Sequence, residues 1–262
     1  MKLFLFALLL LYAGSLNAQH HNSENRLYQD YAFTDDSLVM SGGVNPKEFS
    51  LLNLKKEFHY DYYRHIFTRV SSGDYSKTKH WSVPIKIYLD SKIPKDVQDD
   101  FIQFVTFLPK IEKLTISFVR NKKESNFYIY PVTEKLDDFE LDFYKGITFS
   151  LLTDESNKFY GGRILFNPNQ LKDNTVLKTK LRQFFFASLG NFCIRNELGT
   201  DSLLSENYQW SRTISNYDYT ILRFHYGLYN KNAIGYPELK KLLQKIQSTT
   251  FTNTSGKFTL TL

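Results

Sequence analysis

Residues 175 to 194 carry apolar side chains over a very wide helical arc, including Leu177, Leu181, Phe184, Phe185, Ala187, Leu189 and Phe192. A helix with so little polar face has to be buried, so other elements must be built around it. The chain has the material to do so: 262 residues, 42% hydrophobic and 16% aromatic, enough for one or two domains with a sizeable core.

The covering elements are legible upstream. Val83-Pro84-Ile85-Lys86-Ile87-Tyr88-Leu89 alternates with a period near two and reads as a strand, with Pro84 at its start or edge. Val97, Phe101, Phe104, Val105 and Leu108 have helical spacing over residues 95 to 111. Short strands are expected at 114–119, 127–130, 146–152 and 163–167, the last led in by Gly161-Gly162 and closed by Pro168. Residues 133 to 145 are acidic and read as an excursion loop. Downstream, helices are expected at about 216–226, capped by Ser215, and at 236–247, followed by a short hairpin around Ser255-Gly256.

The beginning of the chain reads differently. Lys2, the apolar run Leu3 to Ala13 and the small residue Ala18 before Gln19 form a secretory signal peptide, too short to span a bilayer. Residues 19 to about 45 are polar, with a turn at Ser41-Gly42-Gly43, and residues 47 to 70 read as a helix. The expected organisation is therefore a signal peptide at 1–18, an N-terminal arm and helix at 19–75, one main domain at 76–235, and a C-terminal helix and hairpin at 236–262. The protein is expected to be exported, to the periplasm or beyond, as a monomer without a transmembrane segment.

Cys193 is the only cysteine, so an exported chain of this kind has no internal disulfide and depends on its core for stability. The formal charge of +6 is spread in short lysine clusters with no long basic stripe, which argues against nucleic acid as a partner.

The order strand, helix, four strands, long buried helix, helix resembles the upper half of a zincin-type metallopeptidase. More closely, the chain resembles a family of bacterial exported proteins of unknown function related to zincins. Three features carry the resemblance: Trp81 with Pro84-Ile85-Lys86-Ile87; Gln183 to Gly190, ending Ala187-Ser188-Leu189-Gly190; and Ser202-Leu203-Leu204 followed by Asp218, Ile221-Leu222, Tyr226 and Gly235. It covers roughly residues 79 to 236. It implies an α+β fold, with a zincin-like mixed five-stranded sheet backed by helices and the helix at 175–194 in the place of the zinc-binding helix.

The chemistry of that helix is then testable residue by residue. Zincins place two imidazoles at i and i+4 on one helix face, with a Glu between them as general base. Anchored on Gly190, the first His position is Gln183, the Glu position is Phe184, the second His position is Ala187, and a third ligand position falls on Cys193. Ala and Phe can neither ligate nor act as a base, and one thiol does not make a zinc site. The resemblance therefore implies a pseudo-peptidase, with no catalytic residue, metal or cofactor at these positions.

Other constellations are weaker. None of the six histidines forms H-x-x-x-H. The terminus Gln19-His20-His21, once exposed by cleavage, has the pattern of a copper or nickel site, set against a disordered polar start. Ser188 lacks a G-x-S-x-G setting and reads as a helix serine bonded to a backbone carbonyl. The acidic run Asp137 to Asp142 lacks the spacing of a calcium loop, and Gly161-Gly162 leads into a strand rather than a phosphate-binding helix.

In a zincin-like fold, Ile147, Phe149 and Leu151 would lie on the strand that borders the groove, where active relatives hold substrate as an added strand. Tyr208 and Trp210 would sit below the helix, either facing the groove or covering the core. The expectation is a secreted non-catalytic protein that binds a peptide or envelope partner in the remnant groove. The alternatives are a hydrolase with a site other than H-E-x-x-H, and a structural or assembly protein of the cell envelope.

Overall fold

The computed structural model describes residues 31–34, 37–41, 56–67, 77–111, 113–133, 146–211, 213–227, 235–248, 252–254 and 257–261. The expected signal peptide, the Gln19-His20-His21 terminus and all but the first residue of the acidic excursion expected at 133–145 lie outside the described residues. Contacts divide the chain into two compact units: His59–Lys240, and the two chain ends, Met1–Phe58 with Lys241–Leu262.

The chain ends contribute a four-stranded antiparallel sheet of β1 (Tyr31–Thr34), β2 (Ser37–Ser41), β9 (Thr252–Thr254) and β10 (Lys257–Thr261), in the order β1-β2-β10-β9. The C-terminal hairpin matches the alternation at Phe251 to Leu262. The two N-terminal strands were not expected from a polar arm. Their sheet is completed by a remote partner, with Met40 opposite Phe258 and Leu38 opposite Leu260, and local pattern does not reveal pairing at that separation.

The larger unit follows the order α1 (Lys56–Phe67, entering it at His59), β3 (His80–Trp81), β4 (Ile85–Leu89), α2 (Lys95–Phe107), β5 (Ile116–Phe118), β6 (Phe127–Pro131), β7 (Ile147–Thr153), β8 (Lys158–Phe166), α3 (Asn174–Ser188), α4 (Asn216–Gly227) and α5 (Tyr236–Ser248). Its sheet is mixed and mostly parallel. Strands β5, β4, β6 and β8 run parallel in that order, and β7 pairs antiparallel with β8. The sheet has six strands rather than the expected five, because His80 and Trp81 pair with Lys158 and Phe159. A two-residue strand is too short to show a period. Strand β8 also starts at Lys158, upstream of the expected position, with Gly161 and Gly162 inside it. Gly162 is squeezed between neighbours, since a Cβ there would stand 2.8 Å from Leu151 and 2.9 Å from Phe127.

Register places Ile87, Phe127, Ile129, Ile164 and Phe149 on one face of the sheet, all buried. Against that face pack α2, through Val97, Phe101, Phe104 and Val105, and α3. Phe185 of α3 is the hub. Its ring meets Phe101 at 5.2 Å and Phe127 at 5.6 Å between centroids, both edge to face, an arrangement favoured by the ring quadrupole. The buried helix foreseen from the sequence is thus the centre of this unit. Among the described residues, no helix is long and apolar enough to cross a membrane.

Candidate functional site

Helix α3 begins at Asp173, whose carboxylate accepts the Thr175 N–H at 2.7 Å and so satisfies an otherwise orphaned donor. It ends by a Schellman-type turn. Asn191 adopts a left-handed φ of 54°, and the Phe192 N–H reaches back to Ala187 O at 2.8 Å. Gly190 lies in this turn under the Phe192 ring, where a Cβ would stand 2.3 Å from the nearest ring carbon. Two aromatic donors satisfy the last carbonyls: Trp81 Nε1 donates to Ser188 O at 3.2 Å and Tyr226 Oη donates to Leu189 O at 2.8 Å. These are the residues that carry the resemblance at Trp81, Gly190 and Tyr226. Their common role is to close one helix end, which leaves no helix carbonyl unpaid in the core.

Gln183 is fully buried. Its Nε2 donates to Ser205 O at 2.5 Å and its Oε1 accepts from Lys180 Nζ at 2.9 Å. The amide therefore ties α3 to the segment that follows it. Phe184 turns its ring edge to Phe149 of β7 at 6.2 Å, and Ala187 is fully buried. Cys193 is half-buried, and its backbone pairs with His65: its N–H donates to His65 O at 2.8 Å and its O accepts from His65 Nδ1 at 2.7 Å. Ser188 Oγ donates to Phe185 O at 2.6 Å, as read from the sequence.

Among the described residues, His65 and His225 are core groups and His80 is half-buried. His225 is buried with Nε2 facing Lys79 O at 2.8 Å and Nδ1 facing the Tyr62 hydroxyl at 2.9 Å. A carbonyl only accepts, so Nε2 carries the proton and Nδ1 accepts from Tyr62. Burial pushes the His225 pKa down to about 3. The same reasoning puts the proton of His65 on Nδ1, while its Nε2 accepts from the Tyr217 hydroxyl at 2.9 Å; burial again lowers the pKa. His80 is lowered to about 4, by burial first and then by Lys158 and Lys113. Among the described residues, no three His, Cys, Asp or Glu side chains come together closely enough to hold a metal ion.

An arginine and an aspartate are also buried: Arg182, which was not singled out in the sequence, and Asp218, which was named there only as part of the resemblance. Arg182, 2% exposed, grips Asp100 with two bonds of 2.9 and 2.6 Å and donates to Ser211 O at 2.6 Å. Its guanidinium also lies 4.8 Å from the Trp210 ring centroid, and Trp210 Nε1 donates to Asp100 at 3.3 Å. An arginine just ahead of the apolar run Phe184-Phe185-Phe186-Ala187 is the signal that could have drawn attention to it. Asp218 is fully buried at the start of α4 and accepts from Ser202 Oγ at 2.6 Å and Leu203 N at 2.8 Å. Burial outweighs these bonds and raises its pKa to about 6.

The structure separates the expected groove residues into two groups. Ile147 and Phe149 are buried beneath β7, with Leu151 half-buried beside them. Among the described residues, β7 pairs with β8 along one side and with no strand along the other. Tyr208, by contrast, is 7% exposed and its hydroxyl accepts the Ser211 N–H at 3.2 Å, while Trp210 lies over Arg182 with 44% of its surface open. Phe149 and Phe184 link β7 to α3, and Arg182 links α3 to Trp210. No family model matches the chain, and no curated protein matches it.

Proposed function

We propose that this is an exported, non-catalytic protein of zincin-like fold, which binds an extended peptide segment of an envelope partner along β7. The observation that carries this reading is the position of β7 as the antiparallel edge of the sheet among the described residues, in contact with α3 through Phe149 and Phe184. An open edge offers backbone N–H and C=O groups that an added strand can pair. The sheet order β5-β4-β6-β8 with β7 outside it, and two helices on one face, support the zincin-like part of the reading. The non-catalytic part is supported by the use of Gln183, Phe184 and Ala187 as internal packing and hydrogen-bonding groups.

The test combines metal content with hydrogen exchange. The purified protein should hold no stoichiometric zinc and should not cleave unfolded casein. The β7 amides should become protected on addition of casein-derived peptides. Chelator-sensitive cleavage would sink the non-catalytic reading, and β7 amides that exchange equally with and without peptide would sink the capture reading.

One observation favours the envelope-assembly alternative. Leu152 and Tyr160, 54% and 47% exposed, place apolar surface on the β7–β8 hairpin, where strand addition by a second copy would cover it. Sedimentation of a concentration series separates the two readings, since self-association shifts with protein concentration and peptide capture does not.

A further inference from the structure

A cavity of about 290 Å³ opens beyond the carboxyl ends of β6 and β8, against the first turns of α2 and α3. In open sheets with parallel strands this end of the sheet is where ligands are held, because successive strands and helices part there. The floor is apolar: Phe166, Leu171 and Leu177 are all buried, and three prolines complete the wall. Thr133, Lys92 and Lys172 stand at the exposed rim.

Among the described residues, the charged side chains that line this cavity are both lysines, Lys92 and Lys172. No acidic residue lines it among the described residues. Three described acids beside the lining residues in the chain are already engaged. Asp90 accepts the Lys92 backbone N–H at 2.9 Å, Asp96 holds Lys178 at 2.8 Å and Asn174 at 3.0 Å, and Asp173 caps α3. Among the described residues, neither Lys92 nor Lys172 forms an ion pair. The room amounts to about ten water-sized groups, taking a water's share of volume as about 30 Å³.

We propose that this cavity binds a small organic carboxylate with an apolar body, its carboxylate between Lys92 and Lys172 and its body on Phe166, Leu171 and Leu177. The apolar floor gives a bare hydrated anion nothing to bury, which excludes inorganic phosphate as the fitting ligand. An uncharged molecule of the same size would leave the two ammonium groups without a partner. The site is independent of the peptide-capture reading of β7.

The experiment is a calorimetric titration of the purified protein with hexanoate, benzoate, hexanol, benzyl alcohol and inorganic phosphate. Hexanoate or benzoate should bind saturably, and the alcohols and phosphate should bind at least about tenfold more weakly, the size expected when two exposed charge contacts are lost together. Lys92→Gln with Lys172→Gln should weaken carboxylate binding by a similar factor. Thr133→Trp, at an exposed rim position, should abolish binding by filling the mouth, with the melting temperature unchanged in each variant. Equal binding of alcohols and carboxylates would overturn the proposal, as would the absence of saturable carboxylate binding. Carboxylate binding unaltered by the lysine and Thr133 substitutions in folded protein would place the ligand elsewhere and overturn it too.

Discussion

Helix α3 and strand β7 touch through Phe184 and Phe149, yet they are finished in opposite ways. On α3 the polar atoms are turned inward and used: Gln183 bonds Lys180 and Ser205, Arg182 bonds Asp100 and Ser211, and the final carbonyls bond Trp81 and Tyr226. On β7 one side is paired with β8, and among the described residues the other meets no strand. The helix is closed because a buried polar group without a partner costs about 1–3 kcal/mol, so each must be answered within the core. The outer part of β7, where Leu152 and Thr153 are exposed, carries no such penalty, because water can answer it. A substitution in α3 should therefore act on stability, and one on the outer part of β7 should act on association.

The largest effect is expected at Arg182. Arg182→Ala removes the partner of Asp100 and the platform under Trp210, and should cost about 3–5 kcal/mol in a denaturant titration. A loss below about 1 kcal/mol would show that α3 is not held by this ion pair and would blunt the contrast with β7.

Acid should expose the closed region next. His225 folds as the neutral ring with a pKa near 3, below the ordinary value of 6.5, so its contribution is full above pH 6.5 and is lost as pH falls toward 3. Between pH 6.5 and 4.5 that loss is about 2–3 kcal/mol. Asp218 works in the other direction. Its folded pKa near 6 lies above the ordinary 3.8, so its contribution is full below 3.8 and is lost as pH rises through 6; over the same acid interval it returns about 1–2 kcal/mol. Asp218→Asn should therefore steepen the acid loss of stability, measured by thermal melts from pH 7 to 4.5. Superimposable curves for the variant and the parent would contradict the assignment.

Gln183→Leu should cost a smaller amount, about 1–3 kcal/mol, by leaving Ser205 O and Lys180 without the amide. The same variant should leave β7 amide protection by peptide unchanged, and a change there would mean that helix and edge act as one site. The smallest stability effect belongs to Leu152→Lys on the exposed hairpin, within about 0.5 kcal/mol of the parent. Its consequence should appear in self-association, which a charge on an edge suppresses. Association that persists undiminished in Leu152→Lys would remove this hairpin from the interface.

Much of the larger unit was legible in the chain. The wide apolar arc at 175–194 announced a buried central helix, and Val97, Phe101, Phe104 and Val105 announced the helix beside it. The alternation at Ile85-Lys86-Ile87 and Phe127-Tyr128-Ile129 marked strands, because a sheet face repeats every two residues. The Gln, Phe and Ala at 183, 184 and 187 were legible as residues that supply neither a zinc ligand of the usual kind nor a general base.

Other features exist only in three dimensions. Strands β1 and β2 are completed by β10, and the two-residue β3 is defined by its partner in β8. Pairing between distant segments leaves little trace in local periodicity. Whether Tyr208 faced a groove or the core depended on the Ser211 N–H that meets its hydroxyl. The neutral state of His225 depended on its burial, and the nitrogen that carries its proton on Lys79 and Tyr62, both far from it in the chain. Local sequence determined which segments were helix, strand or buried, because periodicity and side-chain chemistry are properties of neighbours. Tertiary structure alone decided which strands pair with which, which charges were paired and where a cavity remained, because those depend on what distant segments bring to the same place.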